Sequence, residues 1–325
     1  MVHNGAAAQT KIKQLVDNIS RVIIGKQQAV EQSVIALLCG GHLLIEDVPG
    51  VGKTMLARSV ARSTGCTFGR IQFTPDLLPS DITGVTIFNQ QSGEFEYRPG
   101  PIMAQMVLAD ELNRTTPKTQ SALFEAMEEH QVTVDGVTHA LPRPDMVLAT
   151  LNPIEYEGTF PLPEGQLDRF MLRISLGYPS REDEISVVRQ QALQHPIETL
   201  EPVVSSDDIL GLQEIVKKIH TENAITEYAV SLVTATRNHP DADLGASPRG
   251  SLALFRTSQA LALIRGRDYV LPDDVKEMAI PVLAHRVIVP PSSRMRGVTG
   301  RMIVEAALEE VQVSGVRTGH QAPTG

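Results

Sequence analysis

Leu43-Leu44-Ile45-Glu46-Asp47-Val48-Pro49-Gly50-Val51-Gly52-Lys53-Thr54 is the stretch on which the reading of this chain turns. Its apolar start reads as a strand, its glycines as a turn, and residues 55–63 as a helix that follows at once. In that setting Gly-Lys-Thr holds phosphate. Gly50 and Gly52 let the backbone curl so that N–H groups face phosphate oxygens, and the helix N-terminus adds partial positive charge. Lys53 is the candidate for the β- and γ-phosphates and the Thr54 hydroxyl for Mg²⁺. Pro49, Val51 and Met55 are the other residues of the expected cradle. The full pattern wants a glycine at the position that Asp47 occupies.

The rest of the composition narrows the class. At 325 residues there is room for one large or two ordinary domains. The 29 basic residues against 38 acidic ones give −9, which suits solubility and argues against a nucleic-acid binder. Cys39 and Cys66 lack metal-ligand spacing and read as free thiols of a reducing compartment. No apolar run is long enough to span a membrane and no signal-peptide layout is present, so a cytoplasmic protein is expected.

The first half alternates helices (11–20, 26–38, 118–129) with short apolar strands at 42–46, 70–73, 106–109, 146–151 and 171–176. That alternation predicts an α/β three-layer domain around a parallel sheet. Two stretches read instead as hairpins: 85–97 around Gln91-Ser92-Gly93, and 131–140 around Asp135-Gly136. Beyond residue 177 the pattern becomes helical, at 181–194, 207–220, 226–238, 251–265, 273–285 and 301–311. Ser205 with Asp208 is a capping-type start, and Pro272 suits a first helical turn. Residues 1–177 are thus expected as a nucleotide-binding core, 178–312 as a helical domain, and 313–325 as a disordered tail.

A Mg²⁺ held by Thr54 calls for an acidic residue at the end of another strand. Met106-Val107-Leu108-Ala109-Asp110-Glu111 delivers Asp110 for the metal and Glu111 as general base for the attacking water; the plainer reading is a strand end that caps the next turn. Asn152, at the end of 146–151, is a candidate for the attacking water or γ-phosphate, or else an Asn-Pro turn. Arg169 either pairs with Asp168 or serves a neighbouring subunit's γ-phosphate as an arginine finger. Arg249 opens a helix of the second domain and could reach back over the phosphates.

These residues together resemble the AAA+ ATPases, and more narrowly the MoxR family, over roughly 22–289. The resemblance rests on the Walker A run 46–54, the Walker B run 107–114, the sensor 1 segment 149–153, Leu167-Asp168-Arg169-Phe170, and the sensor 2 run Ser247-Pro248-Arg249. Glu-Asp-Val-Pro-Gly-Val-Gly-Lys-Thr is itself MoxR-like, so Asp47 marks the family. The resemblance implies an αβα core with strand order 5-1-4-3-2, a helical lid, ATP and Mg²⁺ as cofactors, and rings that are usually hexamers. It makes 83–98 a helix-2 insert and 131–140 a pre-sensor 1 hairpin, both expected at the ring face or pore, or else plain solvent-exposed hairpins that touch no substrate. Ile24 and Gly25 would line the adenine pocket. No Asn-Lys-x-Asp motif favours GTP. Asn113 and Arg114 would lie near the subunit interface, or merely start a helix.

The function this implies is ATP-driven, chaperone-like remodelling or maturation of client complexes, including metal or cofactor insertion, beside partners carrying a von Willebrand factor A domain. Two alternatives stay open: a nucleotide-gated scaffold that hydrolyses little, and a DNA-acting motor. The acidic balance counts against the motor.

Overall fold

A computed structural model describes residues 2–152, 159–191 and 195–313, with the side chains of 2–5 and 191 left aside. The expected tail, from 314 on, and Pro153 lie outside the described residues.

Strands β1 (His42–Glu46), β2 (Phe68–Gln72), β5 (Met106–Asp110), β8 (Met146–Leu151) and β9 (Phe170–Ile174) form a parallel sheet in the order β2-β5-β8-β1-β9. Numbered by sequence among themselves these five strands run 5-1-4-3-2, as the family resemblance implied. The central strands β1, β5 and β8 are almost wholly buried, which is why they read as unbroken apolar runs. The edge strand β2 is covered much less: Ile71 and the following Phe73 point inward, while Arg70 and Gln72 share the other face.

Helices α1 (Val2–Ser20), α2 (Gln27–Leu38) and α3 (Lys53–Ser63) form one outer layer, with α2 against β1 and β9 and α3 against β5. The helices α4 (Pro79–Thr83) and α5 (Pro117–Glu129) cover the other face, where Ile82, Leu123, Phe124 and Met127 pack with Leu44, Val107, Ala109, Val147 and Phe170. Short α6 (Glu164–Leu167) leads into β9. Two antiparallel hairpins interrupt the core: β3 (Gly84–Asn89) with β4 (Glu94–Pro99), and β6 (Gln131–Val134) with β7 (Val137–Ala140). Asp135 and Gly136 both have positive φ, the geometry that a tight two-residue hairpin turn requires.

The chain divides into two compact units at Lys218, later than the 177/178 boundary read from sequence. The first unit runs to Lys218 and takes in Leu263–Gly266; the second holds Ile219–Ala262 and the described residues from Arg267 on. Helices α7 (Arg181–Gln191) and α8 (Ser206–Val216) therefore belong with the sheet. The reason is packing: α8 buries Ile209, Leu212 and Val216 and lies against α1 and α2, each such side chain contributing about 1.5–3 kcal/mol. Lys11 of α1 donates to Asp208, which also caps α8 through Ser205, and these bonds hold the Asp208 pKa at about 2.

The second unit contains α9 (Asn223–Asn238), α10 (Pro248–Ile264) except its last two residues, α11 (Pro272–Leu283), α12 (Pro291–Met295) and α13 (Gly300–Glu310). Tyr228 and Leu232 of α9, Met278 and Val282 of α11, and Ile303 and Val304 of α13 are buried where these helices meet. Pro272 opens α11, and the Asp274 carboxylate there takes two hydrogen bonds from Arg267, at 2.6 and 2.8 Å.

Candidate functional site

Parallel strands in register bring their C-terminal ends to one edge. Glu46 lies level with Leu151 and Ala109 with Ala149, so Asp47, Asp110 and Asn152 emerge side by side. Between β1 and α3 the chain turns through Gly50 (φ 83°) and Gly52 (φ 96°), a left-handed conformation that suits glycine. A Cβ built on either would meet no atom within 4 Å, so the space over the turn is open. Leu56 N–H closes on Gly52 O at 2.9 Å, and the amides ahead of it have no intrahelical partner by helix geometry. Lys53 Nζ donates to Asp47 O at 2.6 Å and Leu151 O at 3.3 Å, which holds its charge beside the open space. Thr54, half-buried, lies in the first turn of α3 with Met55, while Pro49 is exposed and Val51 half-buried in the loop. An open glycine cradle, loose amides and a tethered ammonium fit a polyphosphate.

Asp47 is not a vestigial glycine position. It is buried, and its Oδ2 accepts from Ser175 Oγ at 2.9 Å and from the N–H groups of Leu176 and Gly177, each at 2.6 Å. Its Oδ1 accepts from Val48 N–H at 2.8 Å. Burial pushes its pKa up, but the bonds from Gly177, Ser175, Val48 and Leu176 outweigh it and leave the carboxyl below the usual range. The carboxylate thereby ties the start of the loop to the turn after β9. That turn and the start of α7 also reach the segment before α2: Tyr178 O accepts from Lys26 Nζ at 2.7 Å, and a Cβ on Gly25 (φ 71°) would collide with the Asp183 carboxylate.

Asp110 is buried at the end of β5, with Oδ1 accepting from the Thr150 hydroxyl at 2.8 Å. The same hydroxyl accepts the N–H of Glu111 at 2.8 Å. Glu111 has φ 57°, an uncommon conformation for a side chain of this size. Its Oε2 accepts from Gln72 Nε2 at 2.8 Å and lies 3.3 Å from Arg114 Nε. Arg70 Nη2 donates to Asp110 Oδ2 at 2.7 Å and to Gln72 Oε1 at 2.7 Å. Thr150, Arg70 and Gln72 carry no motif; the signal available for the two β2 residues is the alternation Arg70-Ile71-Gln72-Phe73, which places both on one face of a strand.

The other candidates separate. Asn152 is buried beside the cradle, next to the Leu151 carbonyl that Lys53 and Asp47 N–H share. Arg169 precedes β9 and so stands at the opposite, N-terminal edge of the sheet, roughly 16 Å of strand away. Its Nη1 donates to Phe124 O at 2.6 Å, its guanidinium lies over the Phe124 ring, and Glu128 is 3.8 Å off. Arg249 is exposed in the first turn of α10, in the second unit. Asn113 accepts Phe160 N–H at its backbone carbonyl, at 2.7 Å.

A parallel sheet of this order with a glycine cradle at β1 and an Asp-Glu pair at β5 defines a P-loop nucleotide-binding protein of the AAA+ class. Residues 42–172 match the ATPase family associated with various cellular activities (AAA), and residues 234–307 match the AAA lid domain. The chain is 54% identical to the protein YeaC of Bacillus subtilis (strain 168), over 92% of this chain and 93% of that one. It is 40% identical to Chaperone MoxR1 of Mycobacterium tuberculosis, over 98% and 88%. Protein MoxR of Paracoccus denitrificans is 30% identical over 86% and 88%. The crystal structure of a Cytophaga hutchinsonii protein, assigned as an ATPase, superposes with a TM-score of 0.90 at 39% identity, covering 96% of this chain and 97% of that one. The chain belongs to the MoxR family of AAA+ ATPases.

Proposed function

We propose that the protein hydrolyses ATP at sites shared between subunits of a ring and uses the cycle to remodel client proteins. One observation carries this reading: Lys53, Asp110 and Glu111 meet at one edge of the sheet while Arg169 stands at the other. An arginine on that far edge serves a phosphate only when it comes from another subunit. The Gly50–Gly52 turn and Lys53 hold the polyphosphate, and Ile24 and Gly25 face the base. Thr54 and Asp110 hold Mg²⁺, which when bound neutralises phosphate charge. Glu111 takes the proton of the attacking water, Asn152 orients it, and Arg249 of the lid reports phosphate occupancy.

The client-facing surface in this reading is the pair of hairpins. Phe88 and Phe95 are 53% and 75% exposed and pack edge to face at 5.2 Å, too apolar a tip to be there for solubility. Tyr97 stacks on His139 at 3.9 Å, which links the two hairpins. The name of the Mycobacterium tuberculosis relative, a chaperone, supports the remodelling role. A hexameric ring in the cytoplasm, acting beside a von Willebrand factor A partner, completes the proposal. No described helix is long and apolar enough to cross a membrane.

The test is subunit mixing. Glu111→Gln should bind ATP and turn it over about 10²–10⁴-fold more slowly. Arg169→Ala should keep binding and lose about 10³–10⁵ in rate. Mixed with Lys53→Ala subunits, which keep their Arg169, the Arg169→Ala protein should regain turnover. Mixtures no more active than their separate components refute a shared site.

A further inference from the structure

Asp110 already has a cation. Its side chain is only 12% exposed, whereas that of its partner Arg70 is 50% exposed. The carboxylate is fixed, because Thr150 donates to Oδ1 while accepting from Glu111 N–H, which leaves Oδ2 as the oxygen with an exchangeable partner. Arg70 sits there through Nη2 and reaches it from the neighbouring strand, so it can swing to water without disturbing the core. A carboxylate this enclosed is costly without a counter-charge, and a guanidinium is always charged.

We propose that Arg70 is the counter-ion of Asp110 in the metal-free protein and gives way to a divalent cation, so that metal uptake at this site is an exchange of cations. The proposal rests on the reading of Asp110 as a metal-side residue. A guanidinium and a divalent ion at one oxygen repel each other, so the two states exclude one another. The exchange also reaches Glu111. Gln72 accepts from Arg70 through Oε1 and donates to Glu111 through Nε2, the one orientation of its amide that suits an obligate donor and an obligate acceptor. Departure of Arg70 removes the bond that orients this amide, and Glu111 loosens when the metal is in place. Arg70 is a positioning residue, which acts through its bonds to Asp110 and Gln72.

The measurement is the affinity of the full chain for a fluorescent, non-hydrolysable ATP analogue, with Mg²⁺ and with excess EDTA. The ratio of the two affinities isolates the metal's contribution. Arg70→Met should raise that ratio roughly twofold to fivefold, the worth of a partly exposed ion pair removed as competitor. Arg70→Lys, which keeps the charge, should stay near wild type. Arg70→Gln, which keeps a donor without charge, should follow Arg70→Met and serves if the latter fails to fold. General damage would weaken both affinities together and leave the ratio unmoved, so an unchanged or lower ratio in folded Arg70→Met or Arg70→Gln overturns the proposal. A wild-type ratio of one, matched by Asp110→Asn, overturns the metal reading of Asp110 and the proposal with it.

Discussion

Replacing Asp47 by glycine would restore the general phosphate-loop pattern, and the structure predicts that it damages this protein. Asp47→Gly strands the N–H groups of Leu176, Gly177 and Val48 and the Ser175 hydroxyl. Leu176 is buried, so its amide carries the full penalty of about 1–3 kcal/mol for an unmet donor. Gly177 and Val48 are half-buried and water can reach them, so each costs about half as much. The glycine adds about 0.5–1 kcal/mol of backbone entropy. The total is roughly 2.5–7 kcal/mol, a large part of the 5–15 kcal/mol typical of a domain. At about 2–4 °C per kcal/mol for a unit of this size, melting should fall by roughly 5–28 °C. Calorimetry on Asp47→Gly and Asp47→Asn reads this directly, with the asparagine, which keeps one acceptor, in between. The folded pKa of Asp47 is depressed, so the charge contributes fully above the unfolded value of about 3.9 and is lost as pH falls through the folded one. The gap between wild type and Asp47→Asn should therefore hold at neutral pH and narrow only below about pH 4. A glycine variant that melts within about 1 °C of wild type would refute the accounting, since even one stranded amide costs more than that.

Gly25→Ala forces a left-handed conformation at about 1–2 kcal/mol and drives the Asp183 carboxylate off Ser180, so both melting temperature and affinity for an ATP analogue should fall. Weakened stability with unchanged affinity would remove Ile24 and Gly25 from the base pocket. His42 is buried as a neutral ring, its Nδ1 accepting Val147 N–H at 3.0 Å and its Nε2 facing Met127 O at 3.2 Å. Burial lowers its pKa most, the Asp145 carboxylate and Met127 carbonyl oppose that, and His130 and Arg143 reinforce it. The unfolded chain then takes up this proton first, so stability should decline as pH drops below about 6.5. His42→Gln should flatten urea midpoints between about pH 5.5 and 7, and an unaltered slope would assign the titration to another group.

What was legible in the sequence was whatever the chain encodes locally. Buried central strands show as unbroken apolar runs, a tight turn as its glycines, and the Ser205–Asp208 cap as its spacing, because each depends on neighbours a few residues away. What stayed hidden depends on register and on which layer an element joins. Periodicity marked α8 as a helix but could not say that Ile209, Leu212 and Val216 would pack on α1 and α2, which is why the compact unit around the sheet runs on to Lys218. The motif located Asp110 and Glu111 yet said nothing of Arg70 and Gln72, since Gln72 comes level with Asp110 only once β2 pairs with β5. Asp47 makes the same point from the other side. Measured against the general pattern it is a missing glycine; measured against its contacts it is the acceptor that fastens the phosphate loop to the turn after β9. A residue that breaks a motif is therefore best judged by what it satisfies in the fold. By that standard the strand beside the acidic pair belongs to the nucleotide site as much as the loop that announced it.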